Sequence, residues 1–385
     1  MDKKSISRIP FGQLAIIALE NCRELGEKVN QELVRRRASD YADQSQEIYL
    51  DEIKDSYLVA VNNVRFSNGE GKATLNETVR GKDIYILSDV GNYSCTYKMF
   101  GITTHMGPDE HFQDIKRTIS AVGGKGRRIT VIMPLLYAGR QHKRRSRESL
   151  DCAIALQELE RLGVDNVITF DAHDPRVQNA VPLIDFQTIH PTYDIIKSIY
   201  QHERHLITDK ENTVIISPDT GAMDRAIYYA GVLGIDIGLF YKRRDYTRIV
   251  NGKNPIVQHE YLGVDVAGKN VIIVDDMAAS GESIIEIAQE LKRRNAANVY
   301  AAVTFGLFTE GVDGFNRCYE QGLIKRFFST NLTYIPDTVR NAEWFVEVDL
   351  SRLIAALIDR LNHDESISSL LTATEKIKEL LGDRV

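Results

Sequence analysis

Short apolar runs recur along this chain, each followed by apolar residues at helical spacing. Examples are VITF at 167–170, VIIS at 214–217, VIIV at 271–274 and VYAAVT at 299–304. Runs this short and rich in β-branched residues read as strands buried on both faces, and the stretches between them as amphipathic helices. Strict alternation of the two predicts α/β architecture, with mainly parallel sheets flanked by helices. In such sheets ligands sit at the carboxyl ends of strands. His173, Asp219, Lys242 and Asp275, each just after or at the end of a predicted strand, therefore carry the most functional weight.

The remaining pattern fills in around this frame. Residues 14–19 read as a strand, and Leu25, Val29 and Leu33 mark a helix ending at 35–37. The polar, acidic stretch 38–55 reads as a loop or insertion. Strands follow at 58–64, 84–88 and 129–133, with a turn at Asn68-Gly69 and a helix near 111–121. Gly123, Gly124 and Gly126 lie between a helix and a strand, where glycines reverse the chain. Helices are expected at 150–162, near 195–200 and at 222–233, and a strand at 235–241.

A net charge of −6 removes the whole molecule from the nucleic-acid binders that work by bulk electrostatics. The four cysteines are far apart, with neither metal spacing nor a disulfide framework, which fits a reducing cytoplasm. Neither a membrane span nor a signal-peptide core is apparent.

Residues 271–283, VIIVDDMAASGES, combine a strand, an acidic pair, a small-residue loop and a helix starting near Glu282. A helix N-terminus offers free N–H groups to a phosphate, and small residues allow its close approach. The Ser280 and Ser283 hydroxyls add hydrogen bonds, and Asp275 and Asp276 suit sugar hydroxyls. An ordinary strand–turn–helix with a capping Ser fits the same letters. Asp219 suits Mg²⁺, which prefers oxygen ligands, or an Asx turn feeding the next helix. His173 with Asp171 and Asp174 reads as a metal-ligand candidate or a solvent-facing histidine. Lys242, Arg243 and Arg244 open a polar segment running to 254, suited to a lid whose cations stabilise a transferring phosphoryl group, or to a solvated loop. The basic run 140–147 suits polyphosphate, and by charge alone equally RNA or a solvated loop. Phe66, Asn68, Gly69 and Glu70 offer a ring to stack on a base and polar groups to read its edge, or a plain hairpin turn.

Taken in order, RFSNGE (65–70), VRGKDIYI (79–86), AGRQHKRRSR (138–147), LGVDNVITFDAH (162–173), IISPDTGAMDRA (215–226), YKRRD (241–245), the 271–281 stretch, TNL (330–332) and ESISSLL (365–371) resemble the ribose-phosphate diphosphokinase family. The resemblance implies two similar doubly wound domains of phosphoribosyltransferase type. These are an ATP-side domain over 11–185 with an insertion at 38–55, and a second over 186–362 with the sugar-phosphate loop and lid. A helical tail over 363–385 is expected to pack back on the first. It implies transfer of the diphosphoryl group of ATP to ribose 5-phosphate, with Mg²⁺, in a dimer-based homo-oligomer, by family a hexamer, that shares its ATP site between subunits. No nucleic acid or membrane is implied as a partner. By position Phe66, Asn68, Gly69, Glu70, Arg140 and Gln141 would hold ATP, and His173 and Asp219 the metal. Lys242 and Arg244 would be catalytic. Asp275, Asp276, Ala279, Ser280, Gly281, Glu282, Ser283 and Arg244 would hold ribose 5-phosphate.

The chain departs from the family where its phosphate loop usually reads Asp-Thr-Gly-Gly-Thr, since Ala279 and Glu282 replace an acid and a glycine. Asn68 and His142 stand where Asp is usual, and Leu371 where an aromatic residue is common. A regulatory paralogue and a phosphoribosyltransferase are the rival readings.

Overall fold

A computed structural model describes residues 9–42, 53–144, 146–244 and 256–382. The chain forms two compact units. Unit 1 runs to His190 and takes in Leu332–Tyr334 and Leu350–Thr372; unit 2 comprises Pro191–Asn331, Ile335–Asp349 and the segment from Ala373 onward.

In unit 1 the chain makes β1 (Gln13–Ala18), α1 (Arg23–Ala42), β2 (Val61–Arg65), β3 (Gly71–Leu75), β4 (Lys82–Leu87), β5 (Thr96–Met99), β6 (Ile102–His105), α2 (Pro108–Val122), β7 (Arg128–Ile132), α3 (Asp151–Arg161), β8 (Asn166–Phe170) and β9 (Asp185–Ile189). Five of these strands form one sheet in the order β1-β4-β7-β8-β9, parallel throughout. Its strand residues are mostly buried, which explains why they read as apolar runs rather than as alternation. β2–β3 and β5–β6 are separate antiparallel hairpins.

Unit 2 begins with α4 (Thr192–His202), α5 (His205–Thr208), β10 (Thr213–Ser217), α6 (Met223–Leu233), β11 (Asp236–Arg244) and β12 (Ile256–Gly263). It continues with β13 (Asn270–Ala278), α7 (Glu282–Arg293), β14 (Asn298–Gly306), α8 (Asp313–Glu320), β15 (Arg326–Thr330), α9 (Asp337–Arg340) and β16 (Phe345–Val348). The sheet order is β12-β11-β10-β13-β14-β15-β16, with only β12 antiparallel to its neighbour. The order reverses direction between β10 and β13, which is where a doubly wound sheet opens a crevice.

The sequence reading needs correction at both ends. α1 runs on to Ala42, so the start of the supposed 38–55 loop is helix, while 43–52 lies outside the described residues. The 363–385 tail was expected to pack back on the first domain. After α10 (Ser351–Asn362) of unit 1, its α11 (Ser368–Leu371) belongs to unit 1, whereas its α12 (Thr374–Leu381) belongs to unit 2 and packs on α4 and α6 with Ile377 fully buried.

α10 is fixed to α1 by a buried polar network. Arg37, 3% exposed, pairs with Asp359 Oδ1 at 2.9 Å and donates to Asn362 Oδ1 at 2.7 Å. Asn362 donates onward to Asp83 Oδ2 at 2.8 Å, and Arg128 grips Asp83 through two bonds of 2.8 Å. Replacing one partner of such a pair strands the other charge away from water, at about 3–5 kcal/mol. Asp359→Ala is expected to lower unfolding stability by about that amount, read as a shift of the urea midpoint; a shift of under ~1 kcal/mol would remove the network from this role.

Candidate functional site

β13 carries its acidic pair inside the strand rather than beyond it, since Asp275 and Asp276 precede Met277 and Ala278 in the same ladder. Val271, Ile272, Ile273 and Val274 are buried, so the strand enters the site from the core. β10, its neighbour across the direction change, ends at Ser217, two residues before Asp219. The topology thus brings the two candidate acidic positions to the carboxyl ends of adjacent strands.

Burial, and then the adjacent Asp276 carboxylate, pushes the Asp275 carboxyl well above the usual carboxylate range. Arg225 on α6 opposes this shift, with Nη1 3.9 Å from Asp275 Oδ1. Arg225 was missed from sequence, although it lies inside the 215–226 segment, in the first turn of α6. Each acid also accepts from the next backbone N–H, Asp276 N to Asp275 Oδ1 and Met277 N to Asp276 Oδ1, both at 2.8 Å.

The loop after β13 turns at Gly281 with φ of +80°. A Cβ there would lie 2.2 Å from Phe315 Cζ, so only glycine fits both the conformation and the space. Phe315 is held by Trp344, stacked at 5.2 Å, and by Phe308 and Phe327 at 5.4 and 5.1 Å. The loop therefore rests on a rigid aromatic floor. Ser280 Oγ accepts from Glu282 N at 3.3 Å, the local capping role that the plain strand–turn–helix reading allowed. Glu282 and Ser283 are exposed on the first turn of α7. An acid there suits the helix dipole but competes with a bound anion.

Asp219 is exposed, and its Oδ1 accepts from Gly221 N at 2.8 Å and Ala222 N at 3.1 Å, forming the Asx turn into α6. Lys242 and Arg244 fall on the last residues of β11; 245–254 of the expected lid lie outside the described residues.

In unit 1, His173 is exposed after β8, its ring 5.3 Å from that of His142. His142 Nε2 lies 3.4 Å from Asp174 Oδ2, and burial holds this imidazole below its ordinary value, so the contact is made by a neutral ring at pH 7. The Arg176 bonds hold Asp174 down to about 2. Asp171, at φ of +40°, bonds His190 Nδ1 at 2.5 Å and fixes the backbone ahead of His173. Arg140 and Gln141 are exposed on the preceding loop, and Arg145 lies outside the described residues.

Phe66, Asn68, Gly69 and Glu70 form the β2–β3 turn, with Phe66 49% exposed. Asn68 Nδ2 donates to Glu70 Oε2 at 2.9 Å, and Glu70 N to Asn68 Oδ1 at 3.1 Å. The Arg65–Asp114 pair, two bonds of 2.7 Å, anchors the hairpin on α2. The β5–β6 hairpin beside it was not read from sequence.

No group of three or more His, Cys, Asp or Glu among the described residues is arranged to hold a metal ion.

A sheet reversal, an acidic pair and a glycine-turned loop at a helix N-terminus together define an α/β protein of the phosphoribosyltransferase type. Residues 14–163 match the family described as the N-terminal domain of ribose phosphate pyrophosphokinase, and residues 186–313 the phosphoribosyl transferase domain. The chain belongs to the ribose-phosphate pyrophosphokinase family. It is 27% identical to ribose-phosphate pyrophosphokinase A of Dictyostelium discoideum over 84% of this chain and 94% of that protein. It is 28% identical to ribose-phosphate pyrophosphokinase 2 of Schizosaccharomyces pombe, over 80% and 88%. The crystal structure of phosphoribosylpyrophosphate synthetase from Mycobacterium smegmatis shares the fold, with a TM-score of 0.71, 22% identity, and coverage of 91% of this chain and 99% of that one.

Two outcomes follow from the loop and the acids. Gly281→Ala should unfold at lower temperature, by ~2 kcal/mol of lost stability or more, from left-handed strain and the Phe315 clash; an unchanged melting temperature would contradict the packing described. A carboxyl whose folded value is raised lends stability that is full below its unfolded value, near 4, and lost as pH rises through the folded one. Asp275→Asn should therefore melt higher than the parent at pH 7.5, with the advantage shrinking toward pH 4.

Proposed function

We propose that the protein transfers the diphosphoryl group of ATP to the 1-hydroxyl of ribose 5-phosphate, giving phosphoribosyl pyrophosphate and AMP. The acidic pair and glycine-turned loop at the carboxyl end of β13, in a chain whose other part matches a pyrophosphokinase N-terminal domain, carry this reading. In the reaction the sugar oxygen bonds to the β-phosphorus, the hydroxyl proton passes to solvent water, and the bond from the β-phosphorus to the α,β-bridging oxygen breaks so that AMP departs with that oxygen.

Asp275 and Asp276 would accept from the ribose hydroxyls, and the N–H groups and hydroxyls of residues 279–283 would hold the 5-phosphate. Phe66 would stack on adenine, with Asn68, Gly69 and Glu70 forming the turn that reads its edge. Arg140 and Gln141 would contact the triphosphate. By the family resemblance, His173 and Asp219 would each serve the metal–ATP complex. Mg²⁺, when bound, supplies charge neutralisation on the phosphoryl oxygens. Lys242 and Arg244 would meet the charge that develops on the transferring group. None of these groups forms a covalent intermediate; they position the reactants and balance charge, which is what phosphoryl-type transfer demands. We further propose a cytoplasmic homo-oligomer, dimer-based and hexameric, in which the Phe66 turn serves a neighbouring copy's ATP.

With Mg²⁺, ATP and ribose 5-phosphate, the pure protein is expected to release AMP and phosphoribosyl pyrophosphate in equal amounts. Absence of AMP across a range of phosphate concentrations would leave the regulatory-paralogue reading in its place. Lys242→Ala is expected to lose turnover by ~10²-fold or more with ATP affinity nearly kept, because a contact made mainly in the transition state lowers kcat rather than binding; unchanged turnover would take Lys242 out of the reaction.

A further inference from the structure

The β5–β6 hairpin is joined by a two-residue loop, Phe100-Gly101, between the paired residues Met99 and Ile102. Both loop residues have positive φ, +50° for Phe100 and +80° for Gly101. This is the type I′ geometry, which favours Asn-Gly and disfavours a bulky side chain at its first position. Phe100 is nevertheless a phenylalanine, and at 76% it is the most exposed aromatic ring among the described residues. Neither the turn nor the core explains it. A strained and exposed ring points to a ligand contact.

Three contacts say where that contact lies. Phe100 N donates to Ser67 O at 2.9 Å, on the turn that carries Phe66. Met99 packs so closely on that turn that a Cβ at Gly69 would lie 2.7 Å from its Sδ. Arg65 at the base of the first hairpin stands over the Tyr97 ring at 5.7 Å. The two hairpin tips are thus one tied unit, presenting Phe66 and Phe100 with the Asn68–Glu70 pair between them in the chain. Glu70 and Asn68 offer a carboxylate and an amide, the acceptor and donor that an adenine edge needs.

We propose that Phe100 is a second base-contacting side chain for ATP, acting with Phe66, and that the β5–β6 hairpin holds the Phe66 turn in place for it. The inference rests on the proposed role of that turn in binding adenine. Its chemistry is stacking, which tolerates different bases, with discrimination left to Asn68 and Glu70.

The test compares the full-length parent with Phe100→Ala, Phe100→Asn and Phe100→Tyr, measuring ATP binding by calorimetry, steady-state kinetics and oligomeric state. Loss of the ring should weaken ATP binding by about tenfold and raise KM for ATP similarly, leaving kcat within about twofold. Inhibition by inorganic tripolyphosphate, which has no base, should be unchanged in all variants. Phe100→Tyr should bind ATP like the parent. Phe100→Asn, which suits the turn better, should melt higher than the parent while still binding ATP weakly, a combination that a structural role for the ring does not produce. Unchanged ATP affinity in the Ala and Asn variants overturns the proposal. So does a loss of assembly with ATP affinity intact, which would make the ring a contact between copies. A parent that makes no phosphoribosyl pyrophosphate yet binds ATP in a Phe100-dependent way would sustain the base contact and remove the proposed reaction instead.

Discussion

Two carboxylates on consecutive residues of a buried parallel strand repel each other, and each is poorly solvated. Everything around Asp275 and Asp276 answers that constraint. The strand order reverses beside them, which places the pair where a doubly wound sheet opens rather than in its covered middle. Arg225 approaches from α6 to favour the charged form. The backbone N–H groups of Asp276 and Met277 donate to the Asp275 and Asp276 carboxylates and offset part of the lost hydration. A sugar bound there would replace missing water with its own hydroxyls, so the protonation state of the pair and the occupancy of the site are linked quantities.

Unit 1 is built on a different principle. Its sheet runs in one direction without reversal, and its candidate groups sit on loops and hairpins outside the sheet. His173, Arg140 and the Phe66 turn are exposed, and their positions are set by neighbours with local partners of their own, Asp171 with His190 and Arg65 with Asp114. Such groups suit a large, flexible, highly charged substrate, for which orientation matters more than enclosure.

The sheets were legible because buried parallel strands have no polar face: β4, β7, β8, β10, β13 and β14 all stand out as apolar runs. The acidic pair and the loop glycine were legible because their types are unusual at a strand end. The β5–β6 hairpin was not, since TYKM and ITTH carry little apolar signal and its turn has Phe where Asn would announce it. Arg225 was hidden because its role depends on α6 turning it toward a residue fifty positions away. That α12 belongs to unit 2 while α10 before it belongs to unit 1 leaves no local trace either, because the two helices have similar amphipathic patterns and differ in what they pack against.

The contact between Gly281 and Phe315 has a consequence for inheritance as well as for packing. The two residues lie on different elements, yet the width of residue 281 and the bulk of residue 315 are set against each other. Room made at residue 315 would relieve the clash and leave the left-handed strain, so residue 281 is held by two separate constraints. A genetic selection begun from a damaged loop should therefore return glycine at 281 ahead of smaller residues at 315.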